Sequence, residues 1–544
     1  MIGIRDEAIM KYYPMHMHLH TVHQPGASME GHIFNAHTLG MNYIRFTDHD
    51  TRTGSSKKTV NTFDFSRGVF EYVTEKGITC SWKPLYDCTP VISNSSIVVI
   101  STGEKAGVIF QTSEKKHTRA LLADVTLTLS LKHNIKPGAR IIIDIALSER
   151  PPQHKVAHFS YVLGEPIAEY PEYMAGMSLP LADDGLYVLK VSDDIAKFDK
   201  VGGLDNVFGD VSIIVEGEGE FALSRFDINS IYEYDELIKR QRLLAVEIGK
   251  KYGVYPFVTT EISGAGQHKN CYSSHVPILD YSHGKISEEE AIAHVLSHNG
   301  IFAYNHPFEA RQYKKKVFTR EQIDEIVAYE SDRLAKSKLF GASAVEIAFP
   351  TGRGAFSFDD YLKLWDNLSL AGVFVTGVGD SDSHNSKNLW FNGNNFATWF
   401  GVDDDLSYPI EEAVFNESLL AGNVYMGDPV FLKGDVNFNC LGAKIGSVIK
   451  ANSESYPVSL SLANFDGNLT ARIIENGNCV YTEEFAFGSC EINYSVTPSD
   501  NITFVRAELY NADGRCIMLT NPIWFVGKNY QGEIPNNRLV DLEK

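Results

Sequence analysis

Between about Thr53 and Tyr234 the sequence runs as short β-type stretches: SIVVIST, AGVIFQT, VTLTLSL, ARIIIDIALS, LYVLKVS and VSIIVEG, punctuated by Gly, Pro and Asn-Ser. The residues on either side have a different texture, strands alternating with helix-period segments. Evenly spaced short strands with turn signals predict a β-sandwich or jelly roll. Strand–helix alternation predicts a parallel sheet or barrel. That order predicts an α/β unit opened to admit an all-β one.

The flanking segments can be read element by element. Residues 1–54 form a βαβ start: a strand over Pro14–Leu19, a helix over Glu30–Leu39 closed by Gly40, and a strand over Tyr43–Thr47. Asp235–Lys251 has a helical stripe, followed by a strand that delivers Glu261. Ser287 and Thr319 open capping boxes, and Ser357 begins a further helix. Strands at Ile301–Tyr304, Ala344–Phe349 and Val373–Val378 deliver Asn305-His306-Pro307, carry Glu346, and end in GDSDSH. After a helix near Ile410–Leu420 the texture turns β again. The expected division is barrel at 1–54 and 235–425, inserted β unit at 55–234, C-terminal β-sandwich at 426–527 and a polar surface tail at 528–544.

A length of 544 residues fits several domains. The formal net charge of −20 argues against a nucleic-acid-binding surface, which needs clustered Lys and Arg. It leaves room for a small anionic substrate, because bound metal ions dominate a local field. No apolar h-region or bilayer-length stretch is visible, and the 7 cysteines are scattered without a CxxC pair. The expectation is a cytoplasmic protein without membrane contact.

Five strand ends carry side chains that bind metals: His18/His20, Asp48/His49, Glu261, His306, and Asp382/His384. Successive strand residues face opposite ways, so His18 with His20, and Asp382 with His384, each share a face. Imidazole and carboxylate are the usual ligands of Zn, Mn and Fe. Five independent strands each ending in such groups point to a metal centre rather than to scattered structural histidines.

These residues resemble the PHP (polymerase and histidinol phosphatase) family of metal-dependent phosphoesterases. Its HxHT motif matches His18-Leu19-His20-Thr21 and its TDH motif Thr47-Asp48-His49. The family's Glu matches Glu261, its HP motif His306-Pro307 and its closing DxH Asp382-Ser383-His384. The resemblance covers residues 1–54 and about 240–400. It implies an α/β class fold, a distorted (β/α)7 barrel, with two or three divalent ions (Zn, Mn or Fe). A further ligand histidine is usual after the Glu. His268, in a G-H-x-N-like context similar to the carbaryl-hydrolase-like branch, is favoured over His275. Where many members have a metal-binding Asp after HxHT, this chain reads VHQPGASMEGH, leaving His23 or Glu30 as candidates. Glu30 is equally explained as a charge in a helix's first turn. Asp48 and Glu346 are expected to orient ligands rather than bind metal. His16 is expected to pack behind the site, and His32 and His37 to lie at a solvated or interfacial helix surface.

The implied activity is metal-dependent hydrolysis of a phosphoric ester, with His49 and His306 in catalysis and Arg311 as the best-placed cation for phosphate. Arg45 and Arg353 are weaker candidates. No GxSxG motif offers a serine nucleophile. Two other readings stand beside it. The same metals could cleave a carbamate, carboxylic ester or other C–O bond, or the β units could bind carbohydrate with the barrel as scaffold. The expected partner is a small, phosphorylated molecule, with carbohydrate contact through the inserted unit as an addition.

Overall fold

The computed structural model describes all residues except 1–9, 22–25, 55, 76, 113–118, 310–312, 314–316, 387–395, 404–405, 407 and 543–544. The first strand, β1 (Met10–His16), leads through α1 (Met29–Thr38) to β2 (Tyr43–His49). Ser28 caps α1 by accepting from the Gly31 amide, and Gly40 leaves the helix at φ 77°. β1 and β2 run parallel, with Met15 opposite Tyr43.

The chain then enters the inserted β unit. Its spine is the 22-residue strand Val211–Tyr232, antiparallel to Ser96–Thr112, Asp124–Ile135, Arg140–Arg150 and Lys57–Thr62 along different parts of its length. Alternate residues such as Ile141, Ile143, Leu129 and Phe226 fill one apolar core around Trp82 and Phe110.

The strand ends at α2 (Tyr234–Tyr252), whose last turn is closed by Gly253 at φ 68°. Next come β3 (Tyr255–Ile262), β4 (Lys269–Cys271), α3 (Glu288–Ser297), β5 (Phe302–Tyr304), α4 (Arg320–Lys336) and β6 (Ala344–Glu346). Then follow α5 (Phe358–Leu370), β7 (Thr376–Val378), β8 (Ala397–Asp403), α6 (Glu412–Ala421) and β9 (Val424–Gly427). The capping boxes at Ser287 and Thr319 are both formed, and Ser357 begins α5 with a third.

This arrangement corrects the expected fold class. The chain is mostly β, and the sheet that carries the strand-end ligands is mixed rather than a (β/α)7 barrel. β3 pairs parallel with β2, but β4 follows through a short turn and pairs antiparallel with both β3 and β5. Parallel pairing resumes over β5, β6 and β7, while β8 is antiparallel to β1. β8 continues through β9 into Cys516–Thr520, so one 18-stranded sheet extends into the C-terminal strands. A parallel connection needs a dozen or more residues for its crossover. The few residues between β3 and β4 permit only a reversal.

The C-terminal strands share a core with the first segment, Ile33 and Phe46 clustering with Leu460 and Phe525. Arg506, buried on strand Ile502–Asn511, holds both carboxylate oxygens of Asp366 on α5 at 3.1 Å and also reaches Glu508. The tail runs over the surface as expected, anchored at one buried residue, Arg538. Leu539–Val540 pairs with Val448–Lys450, and the buried Arg538 donates to Thr376 on β7 at 2.6 Å. Removing the guanidinium of Arg506 leaves two largely buried carboxylates unpaired. Arg506→Ala is therefore expected to cost about 3–5 kcal/mol, read as a lowered denaturant midpoint by fluorescence.

Candidate metal centre

The strand register brings the candidate ligands to one edge. In the β2–β3 pair Glu261 lies directly opposite His49. His18 and His20 sit just past β1, where Leu19 bridges to Ser383 and the His20 amide donates to the Ser383 carbonyl at 3.0 Å. That bridge sets the HxHT segment beside Asp382. His306 and Asp382 both have positive φ, 25° and 48°. Non-glycine residues pay for that conformation, and it gathers at functional sites.

Glu261, fully buried, is the hub. Its Oε1 lies 3.3 Å from His18 Nε2, 3.0 Å from His268 Nδ1 and 3.5 Å from His306 Nε2, and accepts from Asn305 Nδ2 at 3.0 Å. Its Oε2 lies 2.6 Å from His49 Nδ1 and 3.8 Å from His20 Nε2. Asp382 Oδ1 lies 2.9 Å from His20 Nε2 and 3.2 Å from His18 Nε2. The His384 ring is centred 4.1 Å from that of His20 and 5.7 Å from that of His49.

Among the described residues, four overlapping sets each present three ligand atoms within 4.8 Å of one another. They are His20/His49/His384, His18/His20/Asp382, His49/Glu261/His268 and His18/Glu346/Asp380. Nitrogen and carboxylate donors in such sets suit Zn, Mn or Fe. The buried His49 Nδ1 and Glu261 Oε2 also lack any hydrogen bond despite their closeness. A cation held by both atoms would satisfy them, so these residues fit a divalent ion.

Electrostatics point the same way. Glu261, Glu346 and Asp380 are buried carboxyls and Asp382, its side chain 9% exposed, lies at their edge, an arrangement that needs compensating charge. Burial alone would lower the His18 pKa, but the charges of Asp382, Glu346 and Glu261 outweigh it and raise it well above the usual value. Burial would likewise raise Glu261 and Asp382. Contact with His18, joined by Arg353 at Asp382, instead holds both well below the carboxylate range. At Asp380 burial and the neighbouring Glu346 outweigh the influence of His18 and Arg353 and push it well above. His20 is lowered to about 3, chiefly by burial, and so is neutral and able to ligate.

Around this set lie residues that orient it. Glu346 accepts from His18 Nδ1 at 2.6 Å and from the His306 amide at 2.9 Å, leaving His18 Nε2 to face the centre. Asp48 points away from the centre, accepting from the Thr21 amide, the Thr21 hydroxyl and Gln241. Of the two histidine candidates after Glu261, His268 reaches it, whereas His275 is exposed and bonds the His298 carbonyl. Glu30 is absent from every described set. Its carboxylate is engaged by Arg150, Lys251 and Tyr252. His23 and Arg311 lie outside the described residues.

Arg45 is buried away from the centre, near Glu412 and Asn416 at 3.3 Å. Arg353 instead bridges Asp382 and Glu309 at the centre itself. His16 packs as expected, with burial lowering its pKa to about 3, but His32 is fully buried rather than at a solvated surface. The sequence reading missed Asp380, although Asp380-Ser381-Asp382 extends the period-two signal one step back. It also gave no role to Asn305, which donates to Glu261, or to Asn270, which donates to Glu346 at 3.2 Å, although both lie within motifs it singled out.

No protein-family model matches the sequence, and no curated protein does. Among solved structures, a family 12 xyloglucanase from Bacillus licheniformis is similar over 32% of this chain and 100% of its own, at 10% identity and TM-score 0.22. An endoglucanase from Rhodothermus marinus is similar over 32% and 99%, at 8% identity and TM-score 0.22. A CARDB domain from Pyrococcus furiosus, in complex with di-metal ions, matches 17% of this chain at TM-score 0.13. Likeness at this level says nothing about the centre.

Glu261→Gln and Asp382→Asn are each expected to weaken Mn2+ or Zn2+ binding by about tenfold or more. His275→Ala should bind as the wild type does. Titration calorimetry against each metal checks both.

Proposed function

We propose that the protein is a metal-dependent hydrolase acting on phosphoric esters. The observation that carries this reading is the overlap of the ligand sets. His18, His20 and His49 each belong to two of them, so the residues suit neighbouring ions rather than one isolated ion. Divalent ions bound there would acidify water, neutralise the non-bridging oxygens of a phosphoryl group and polarise the bond to the leaving group.

The chain's own residues would do the rest. Glu346 and Asn305 hold His18 and Glu261 in fixed orientations. Arg353 touches the ligand set through Asp382, so it takes the role of phosphate-side cation for which Arg311 was the first candidate. His268 and His384 are partly exposed, with 28% and 42% of their side chains accessible, and face incoming substrate. His49, with 16% of its side chain accessible, is open to solvent as well, and any of the three rings can pass a proton to a departing alkoxide. The resemblance of the strand-end motifs to PHP phosphoesterases supports the choice of bond. The carbamate or carboxylic-ester alternative uses the same centre and is separated by assay.

Protein loaded with Mn2+ or Zn2+ is expected to turn over p-nitrophenyl phosphate or bis-p-nitrophenyl phosphate, and to lose that activity to background in His18→Ala. Turnover of p-nitrophenyl acetate with neither phosphate ester cleaved would reject the phosphoesterase reading.

A further inference from the structure

The hydrolytic reading makes no use of the inserted β unit, yet buried polar contacts join that unit to the segments carrying the ligands. Asp205 of the insert is fully buried. Its carboxylate accepts from the amides of Met29 at 2.8 Å and Glu30 at 2.9 Å, the first two residues of α1. The first amides of a helix have no acceptor within the helix, and a carboxylate there also faces the positive end of its dipole. Ser28 satisfies only the Gly31 amide, so the insert caps the remainder. Arg150, also buried, holds Asp205 through its carboxylate at 3.0 Å and its carbonyl at 2.8 Å, and reaches across to Glu30. Ser28 donates in turn to the Glu149 carbonyl at 3.1 Å.

α1 passes this grip to the metal centre. His32 Nε2 donates to the His20 carbonyl at 3.0 Å, and Asn35 donates to the Ser386 carbonyl. At Gly31 the helix runs so close to Ser386 that an added Cβ would meet its hydroxyl oxygen at 2.6 Å. His154, in the turn between Arg140–Arg150 and Lys155–Gly164, meets the same hydroxyl at 3.2 Å. One side of α1 thus touches the chain bearing His20, and the insert and α1 together hold the residue two places beyond His384.

We propose that the inserted unit is a positioning element of the metal centre. Asp205 and Arg150 fix α1, His154 fixes Ser386, and these contacts hold His20 and His384 in register. A loosely appended module would not need a buried arginine and two carboxylates at its junction, since such groups are costly unless fully paired. The functional meaning rests on the metal-centre reading, whereas the mechanical claim concerns the metal-free chain as well.

The test is hydrogen exchange of the full-length, metal-free protein, followed over peptides covering residues 17–21 and 382–386. Asp205→Asn and His154→Ala are compared with wild type and with Arg140→Gln, whose side chain pairs with Glu216 within the insert. Exchange about tenfold faster in both peptides for Asp205→Asn, and in 382–386 for His154→Ala, is expected, with Arg140→Gln unchanged. Should Asp205→Asn fail to fold, His154→Ala decides, because its side chain sits in a partly exposed turn. Wild-type exchange at 382–386 in folded His154→Ala would overturn the proposal. A parallel Mn2+ titration separates the two readings. Absence of binding by the wild type would sink the hydrolase reading, while the exchange result would still decide the positioning claim.

Discussion

A carboxylate with no access to water, Glu261, sits within 4 Å of ring nitrogens from five histidines that arrive on four different segments. Burying one carboxylate among neutral imidazoles is unfavourable, and burying it beside Asp382, Glu346 and Asp380 is more so. The protein's own answer is partial: a raised His18 and the Arg353 bridge. On the proposed reading divalent cations would complete the compensation, and the local structure is consistent with serving them. β2 and β3 are paired so that Glu261 faces His49, the Leu19–Ser383 bridge sets His20 beside Asp382, and Glu346 turns His18 toward the centre.

Much of this centre could be read from sequence because its signals are local. A histidine pair at spacing two, or an acid at the end of an apolar run, keeps its meaning wherever the strand goes. His18, His20, His49, Glu261, His268, His306, Asp382 and His384 therefore meet as expected. Residues whose role depends on distant partners were not legible in this way. Glu30 could be a ligand or a helix-end charge until Arg150, 120 residues away, decides between them. His32 reads as solvated or interfacial on its helix, and elements the local pattern does not contain bury it fully. The fold class failed for a related reason. Strand–helix alternation is a statement about neighbours in sequence, whereas the pairing of β4 between β3 and β5, and of β8 with β1, is set by short turns and long-range ladders. The anchor of the tail shows the same limit, since Arg538 finds Thr376 across the sheet.

The inserted unit gains significance from this long-range character. Besides its contacts with Arg240 and Arg52, it reaches the start of α1 and Ser386, each adjacent to a chain that bears ligands. Among the described residues no helix is long and apolar enough to cross a membrane. An insertion gripping the ligand-bearing segments and a C-terminal sheet continuous with their strands leave the centre braced from both directions.

Anomalous diffraction from crystals of the full chain grown with Mn2+ or Zn2+ tests the central claim most directly. Two or more peaks about 3.5–4 Å apart, ligated by His18, His20, His49, Glu261 and Asp382, are predicted. No peak within this cluster, or a single ion bound elsewhere, would contradict the account.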